Sequence, residues 1–310
     1  MNKSDKIYVA GSNGLVGSNI VKKLESAGYN NIIKSDVSDF DLTDAVATLE
    51  FFINNRPDYV FLAAAKVGGI SANDTYPADF IRINLQIQIN VIDAAYKTDV
   101  KKLLFLGSSC IYPKLAPQPI KEEYLLTGSL ETTNDSYAIA KIAGINMIDS
   151  YNRQYGTKFI SAMPTNLYGP GDNFDLKTSH VLPAMLRKFH EAKIEGKKNV
   201  TLWGSGTPKR EFLFVEDLAD ALVFLMNNYK AAPRDVYLNV GVGEDVSIKE
   251  LAHIIKDITG FEGEIEWDLS MPDGTPRKLL DVSRLNNIGW KAQTSLEDGI
   301  KKTYNWYLNK

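Results

Sequence analysis

Tyr137 and Lys141 stand four residues apart in SYAIAKIAGINMIDSYNRQY, where the apolar spacing predicts a helix from Tyr137 to Tyr155. Both side chains then leave one helical face. An ammonium beside a phenol favours phenolate, which lets the phenol exchange a proton with a carbonyl or carbinol oxygen near neutral pH. The lysine can also reach a nicotinamide ribose. Ser108 closes the apolar run KLLFLGSS, so its hydroxyl is expected at the C-terminal edge of a sheet, where it can hold a carbonyl oxygen beside Tyr137. A tyrosine and a lysine at this spacing also arise by chance on ordinary helices. The pair needs a second motif before it carries a function.

GSNGLVG, residues 11–17, supplies one. It lies between a strand-like run and a helix-like run. Gly11 permits the sharp turn, Gly14 lets the backbone approach a pyrophosphate, and Gly17 lets helix and strand pack closely. Amides at the helix start then face phosphate charge. Gly11, Ser12, Asn13, Gly14, Leu15, Val16 and Gly17 are therefore expected against a dinucleotide. Asp36 ends the second strand-like run at the spacing of an acidic group for the adenosine ribose, which favours a free 2′-hydroxyl. Lys34 acts in the opposite sense if it points at the cofactor, and the residues alone leave NAD and NADP both open. A bare glycine turn and a loop-opening aspartate are the plain alternatives.

These groups need a scaffold, and the apolar pattern describes one. Runs beginning at Lys6, Asn31, Tyr59, Lys102 and Phe159 read as strands; 15–27, 42–54, 77–97 and 137–155 read as helices. Strands apolar on both faces, alternating with helices, predict a parallel sheet covered on both sides. The expected class is α/β, a doubly wound parallel sheet with a smaller mixed lobe. Residues 1–170 form the dinucleotide-binding part and 171–310 mainly the substrate lobe, with some segments returning to the first. Helical patterns recur near 181–193, 215–227 and 248–259 among loops rich in Gly and Pro.

Bulk properties narrow the classes further. A net charge of -3 offers no broad basic field, which argues against nucleic acid as partner. No run reaches the length of a membrane span, and the polar start MNKSDK carries no secretory pattern. The single cysteine, Cys110, precludes an intrachain disulfide and fits a reducing compartment, so the expected location is cytoplasmic. No metal site is read.

YAIAK with Ser108 and GSNGLVG resembles the extended short-chain dehydrogenase/reductase family. The resemblance implies a Rossmann-type domain, hydride transfer at a carbonyl or carbinol carbon, and a homodimer. AAAKVGGI (63–70), GSSCIYPKLAPQPI (107–120), MPTNLYGP (163–170), WGSGTPKREFLFVEDLA (203–219) and PDGTPRKLLD (272–281) narrow it. They resemble members that invert C3 and C5 of a GDP-linked 4-keto-6-deoxy-mannose and then reduce C4 with NADPH.

By that resemblance Ser108, Tyr137 and Lys141 serve the reduction, while Cys110 and His180 are the base and acid of the inversions. Cys110 needs thiolate character, and His180 can change charge near neutral pH. Strand alternation from Ser108 places Cys110 at the same sheet edge. Without the resemblance, a lone cysteine is more often a small buried hydrophobe, and a lone histidine at a helix start a cap. His190 and His253 are read as structural. Further cofactor contacts are expected from Leu106, Gly107, Ser109, Pro164, Thr165, Asn166, Leu167 and His180. Lys188, Trp203, Arg210 and Asp273 are expected to hold the GDP-sugar, Arg210 by bidentate phosphate contact; the alternative for each is a solvated surface group. Bacterial relatives often carry a basic residue within the glycine turn where Asn13 stands here, so NAD stays open beside NADP. Other activities of the same fold are a nucleotide-sugar 4-epimerase, a 4,6-dehydratase and a non-catalytic dinucleotide sensor. A dehydratase needs an acidic pair after the strand-end serine, where this chain has Ser109 and Cys110.

Overall fold

Ile7–Ala10 (β1) is fully buried, as a strand covered on both faces requires. The computed structural model describes every residue except Lys177 and Pro272, and of Ile70 the backbone alone. Pro272, which opens the PDGTPRKLLD segment, thus lies outside the described residues. β1 pairs in parallel with Ile32–Ser35 (β2) on one side and Tyr59–Leu62 (β3) on the other. Lys102–Leu106 (β4) and Ile160–Pro164 (β5) continue outward from β3, also in parallel. Building thus reverses direction at β1, and the crevice beyond the C-terminal ends of β1 and β3 is where such sheets take ligands.

Leu15–Ser26 (α1), Ala45–Asn55 (α2), Ile70–Thr75 (α3), Pro77–Lys97 (α4) and Asp135–Tyr155 (α5) connect these strands. Asp44 starts α2 by accepting from the amides of Val46 and Ala47, and Pro77 opens α4 where its missing N–H costs nothing. Side chains alternate across the sheet. Ile7 and Val9 join one core with Ile20 and Leu24 of α1, while Tyr8 and Ala10 join another with Phe52, Val91 and Ile148.

The run FISAMPTNLYG does not remain one strand. After Pro164 the chain leaves the sheet, and Asn166–Tyr168 (β6) pairs instead with Phe212–Phe214 (β9). Between them lie Val181–Ile194 (α6), Asn199–Trp203 (β7) and Lys209–Arg210 (β8). The chain then returns. Val215–Asn228 (α7) packs along α1, and Tyr237–Val240 (β10) adds to β5, giving the sheet order β10-β5-β4-β3-β1-β2. Val246–Ser247 (β11), Ile248–Thr259 (α8), Glu264–Asp268 (β12), Arg277–Lys278 (β13), Ser283–Asn287 (α9) and Leu296–Leu308 (α10) follow. Helices α6, α8 and α10 enclose a separate core around Phe189, Ile255 and Ile300.

Glu211, with no solvent exposure, ties the parts together. Its carboxylate accepts from Val242 N (2.6 Å), Gly243 N (2.7 Å) and Leu280 N (3.0 Å). Burial raises its pKa, and those amides oppose the rise. Among the described residues no helix is long and apolar enough to cross a membrane.

Candidate active site

A cleft of about 1540 Å³ runs along the C-terminal edge of the sheet and is walled on the far side by α6, β7, β8 and β13. At its floor lies the glycine turn. Gly11 has φ of 79°, and a Cβ there would meet Ala64 Cα at 2.8 Å; one on Gly17 would meet the Gly11 carbonyl oxygen at 2.0 Å. Both positions require glycine. A Cβ on Gly14 meets nothing closer than 3.5 Å, so glycine there serves the open side facing the cleft. Neither a capping side chain nor an acidic residue satisfies the first-turn amides of α1, and Leu15, Val16 and Gly17 all line the cleft. This is a ready site for a dinucleotide pyrophosphate.

Two turn residues differ in kind from their neighbours. Ser12 is buried and its hydroxyl donates to Ser35 O (3.3 Å), bracing the turn from behind. Asn13 is exposed. Asp36 lines the cleft, with its Oδ1 accepting from Val37 N (2.6 Å). Lys34 points elsewhere: its ammonium pairs with Glu25 of α1 at 2.7 Å. Leu106, Gly107, Ser109 and Pro164 to Leu167 also border the cleft. The side chains of Thr165 and Asn166 are spent on Glu211 O (3.3 and 2.8 Å), so backbone is what they offer a ligand.

Strand β4 ends at Leu106, and Ser109–Ile111 forms a single 3-10 turn rather than continued strand. Strand alternation is therefore not what brings Ser108 and Cys110 together. Ser108 Oγ caps the turn by accepting from Cys110 N (3.3 Å), which sets both side chains at the sheet edge. Asn134 Nδ2 and Lys278 Nζ approach Cys110 Sγ at 3.4 and 3.5 Å. Burial opposes ionisation of the thiol, but the Lys278 charge and hydrogen bonds from Ser108, Lys278 and Asn134 outweigh it and hold its pKa below the usual value.

The Tyr137 hydroxyl faces Ser108 across the cleft floor, and Lys141 lies one turn further along α5. Their electrostatics correct the expectation that the ammonium acidifies the phenol. Burial raises the Tyr137 pKa, and the nearby Cys110 adds to the rise. Lys141 directs Nζ to Leu106 O (2.8 Å), with the Tyr137 ring centroid 5.7 Å away. Its own pKa is pushed down to about 7 by burial. The phenol is thus kept protonated and is suited to give a proton to an oxygen.

His180 precedes α6 but makes no side-chain capping bond; it faces the cleft. Solvent reaches it, yet protein crowds it on most sides, and that burial together with Lys278 lowers its pKa. His190 bonds Tyr304 OH (3.0 Å) and His253 is exposed on α8, away from the chemistry. Lys188, Trp203, Arg210 and Asp273 all border the far wall. Trp203 is 62% exposed, with Lys188 Nζ 5.9 Å from its ring centroid. Asp273 already accepts from Ser205 N (2.7 Å) and Ser205 Oγ (2.8 Å), so it secures the 204–206 turn beside Arg210. Among the described residues, Lys188, Arg210 and Lys278 form no ion pair, whereas Arg277 pairs with Asp245 and Lys114 with Glu131. With Lys278 turned to the thiol, Lys188 and Arg210 are the two cations on this wall that suit a diphosphate. Among the described residues no three His, Cys, Asp or Glu side chains are grouped so as to hold a metal ion. Sequence reading missed Lys278 and Asn134 as partners of Cys110; Lys278 lies within PDGTPRKLLD, and its proximity to the thiol comes from tertiary folding alone.

A switch-point glycine turn, a Ser–Tyr–Lys set at the sheet edge and a cationic second wall define a dinucleotide-dependent enzyme of nucleotide-linked substrates. Residues 7–241 match the NAD dependent epimerase/dehydratase family, and the chain belongs to it. It is 58% identical over 306 residues to GDP-L-fucose synthase 1 of Arabidopsis thaliana, covering 99% of this chain and 94% of that one. It is 52% identical to GDP-L-fucose synthase of Escherichia coli (strain K12), covering 98% and 96%. Among solved structures, a GDP-L-fucose synthetase from Naegleria fowleri bound to NADP superposes with a TM-score of 0.92 at 30% identity, covering 100% of this chain and 95% of that one.

Proposed function

We propose that the protein converts GDP-4-keto-6-deoxy-D-mannose to GDP-L-fucose, inverting C3 and C5 and then reducing C4 with NADPH. Both inverted carbons flank the ketone, which acidifies their protons. Cys110 as thiolate removes a proton from one face, and His180 as imidazolium returns one on the other. Ser108 and Tyr137 hydrogen-bond O4 and stabilise the enolate. Bound NADPH supplies the hydride for C4. The glycine turn and Lys141 hold the dinucleotide, and Tyr137 protonates the O4 alkoxide. Lys188 and Arg210 take the diphosphate, and Trp203 covers the nucleoside. In this reading residues 1–170 chiefly serve the dinucleotide and 171–310 the GDP-sugar, and the enzyme is a cytoplasmic homodimer.

The observation that carries this reading is a thiol biased towards thiolate in the same cleft as a protonated phenol. A plain reductase needs only the phenol. Incubation with GDP-4-keto-6-deoxy-D-mannose is expected to oxidise one NADPH per sugar and yield GDP-L-fucose by NMR. Failure to oxidise NADPH, or a product that keeps the D-manno configuration, would overturn it.

Cofactor choice has its own test. With Lys34 paired to Glu25 and Asn13 uncharged, neither supplies a cation to a 2′-phosphate. Asn13→Arg is expected to raise the NADPH/NADH ratio of kcat/KM roughly tenfold, the value of one charge-assisted hydrogen bond. An unchanged ratio in steady-state assays would show that position 13 does not face that phosphate.

A further inference from the structure

We infer that Lys278, carried in on β13, is the positioning residue that holds the Cys110 sulfur as a thiolate. This deepens the proposed epimerisation and rests on it for the proton-transfer role of Cys110. The contact is built, not incidental. β13 pairs with β8 in the register Lys278↔Arg210, and neighbouring residues point opposite ways. Arg277 turns out to Asp245 (2.5 Å), while Lys278 turns in, Nζ 3.5 Å from Cys110 Sγ. Immediately beyond it the backbone is pinned. Leu279 N donates to Gln118 Oε1 (2.9 Å), Leu279 O accepts from Ile120 N (2.7 Å), and Leu280 N donates to Glu211 (3.0 Å).

The groups facing the sulfur are few and their charges are clear. Ser108 approaches from the end of β4, Asn134 and Tyr137 from the start of α5, and Lys278 from β13. Glu131, which also lines the cleft, is occupied by Lys114 (3.0 Å) and Thr275 (3.4 Å). Lys278 therefore brings the full positive charge at the thiol, uncancelled by an ion pair. The same cation acts on His180 and lowers its pKa, second to burial.

The test uses Cys110 as its own reporter, since it is the sole cysteine of the chain. Alkylation by iodoacetamide is followed by mass spectrometry against pH in the intact enzyme, Lys278→Met and Lys278→Arg. Lys278→Met is expected to move the midpoint up by about 1 pH unit, slowing alkylation at pH 7 roughly tenfold. Lys278→Arg, which keeps the charge, should stay within about threefold of the parent. NADPH affinity unchanged in both variants certifies the fold. Deuterium exchange at C3 and C5 should fall in kcat for Lys278→Met. An alkylation profile that does not move overturns the proposal; a raised KM for the GDP-sugar with that unmoved profile would make Lys278 a diphosphate contact instead. A shifted profile in a protein that exchanges no deuterium supports the Lys278–Cys110 link and counts against the epimerase reading alone.

Discussion

Cys110→Ser is expected to lower solvent-deuterium incorporation at C3 and C5 by about 10²–10⁴-fold, the usual worth of a positioned general base. The reason is ionisation. Sulfur accepts from Asn134 and Lys278 at 3.4 and 3.5 Å, contacts that stabilise a negative charge. A serine hydroxyl in the same cradle stays un-ionised near neutral pH, so it has no lone charge with which to take a carbon-bound proton. Reduction of the already inverted 4-keto intermediate should survive within about threefold, because Tyr137, Ser108 and the glycine turn are untouched. Exchange is read by NMR in deuterated water and reduction by NADPH absorbance. Equal, mild losses in both assays would mean that Cys110 is a packing residue.

Tyr137→Phe is expected to do the reverse. C4 reduction should fall by about 10²–10⁴-fold, since the variant loses the protonated phenol that gives its proton to O4. Exchange at C3 and C5 should fall less, since Ser108 still polarises O4. The raised pKa of the phenol adds a pH signature. A group whose pKa lies above its usual value stays protonated through the neutral and mildly alkaline range, so the reductive step should show no Tyr137 limb below its ordinary titration region. NADPH affinity should not change, because Lys141 is held by Leu106 O and owes its position to no tyrosine hydroxyl. Stopped-flow absorbance with the inverted intermediate measures the step. Full reductive activity in the variant would remove Tyr137 from the proton path.

Elements with local signals could be read from the chain. The predicted helix 77–97 matches α4, and 15–27 overshoots α1 by one residue, because Pro77 and the glycine turn mark their starts within a few positions. The cleft-facing set of Cys110, Tyr137, Lys141 and His180 was likewise legible from motif context. What escaped depends on tertiary placement. Whether Lys141 acidifies Tyr137 is decided by burial and by the Leu106 carbonyl, neither visible in a four-residue spacing. The 3-10 turn at 109–111 replaced strand because Ser108 caps it. Lys278 reaches Cys110 across 168 positions through the Gln118, Ile120 and Glu211 anchors. β10 is a four-residue strand whose burial comes from its pairing with β5.

A single turnover in deuterated water with NADPH bearing protium at its transferable position tests the central claim most directly. One cleft that inverts by proton exchange and reduces by hydride delivery should give GDP-L-fucose with deuterium at C3 and C5 and protium at C4. Protium retained at both C3 and C5 in a reduced product would contradict it, since no base in the cleft would then have touched those carbons.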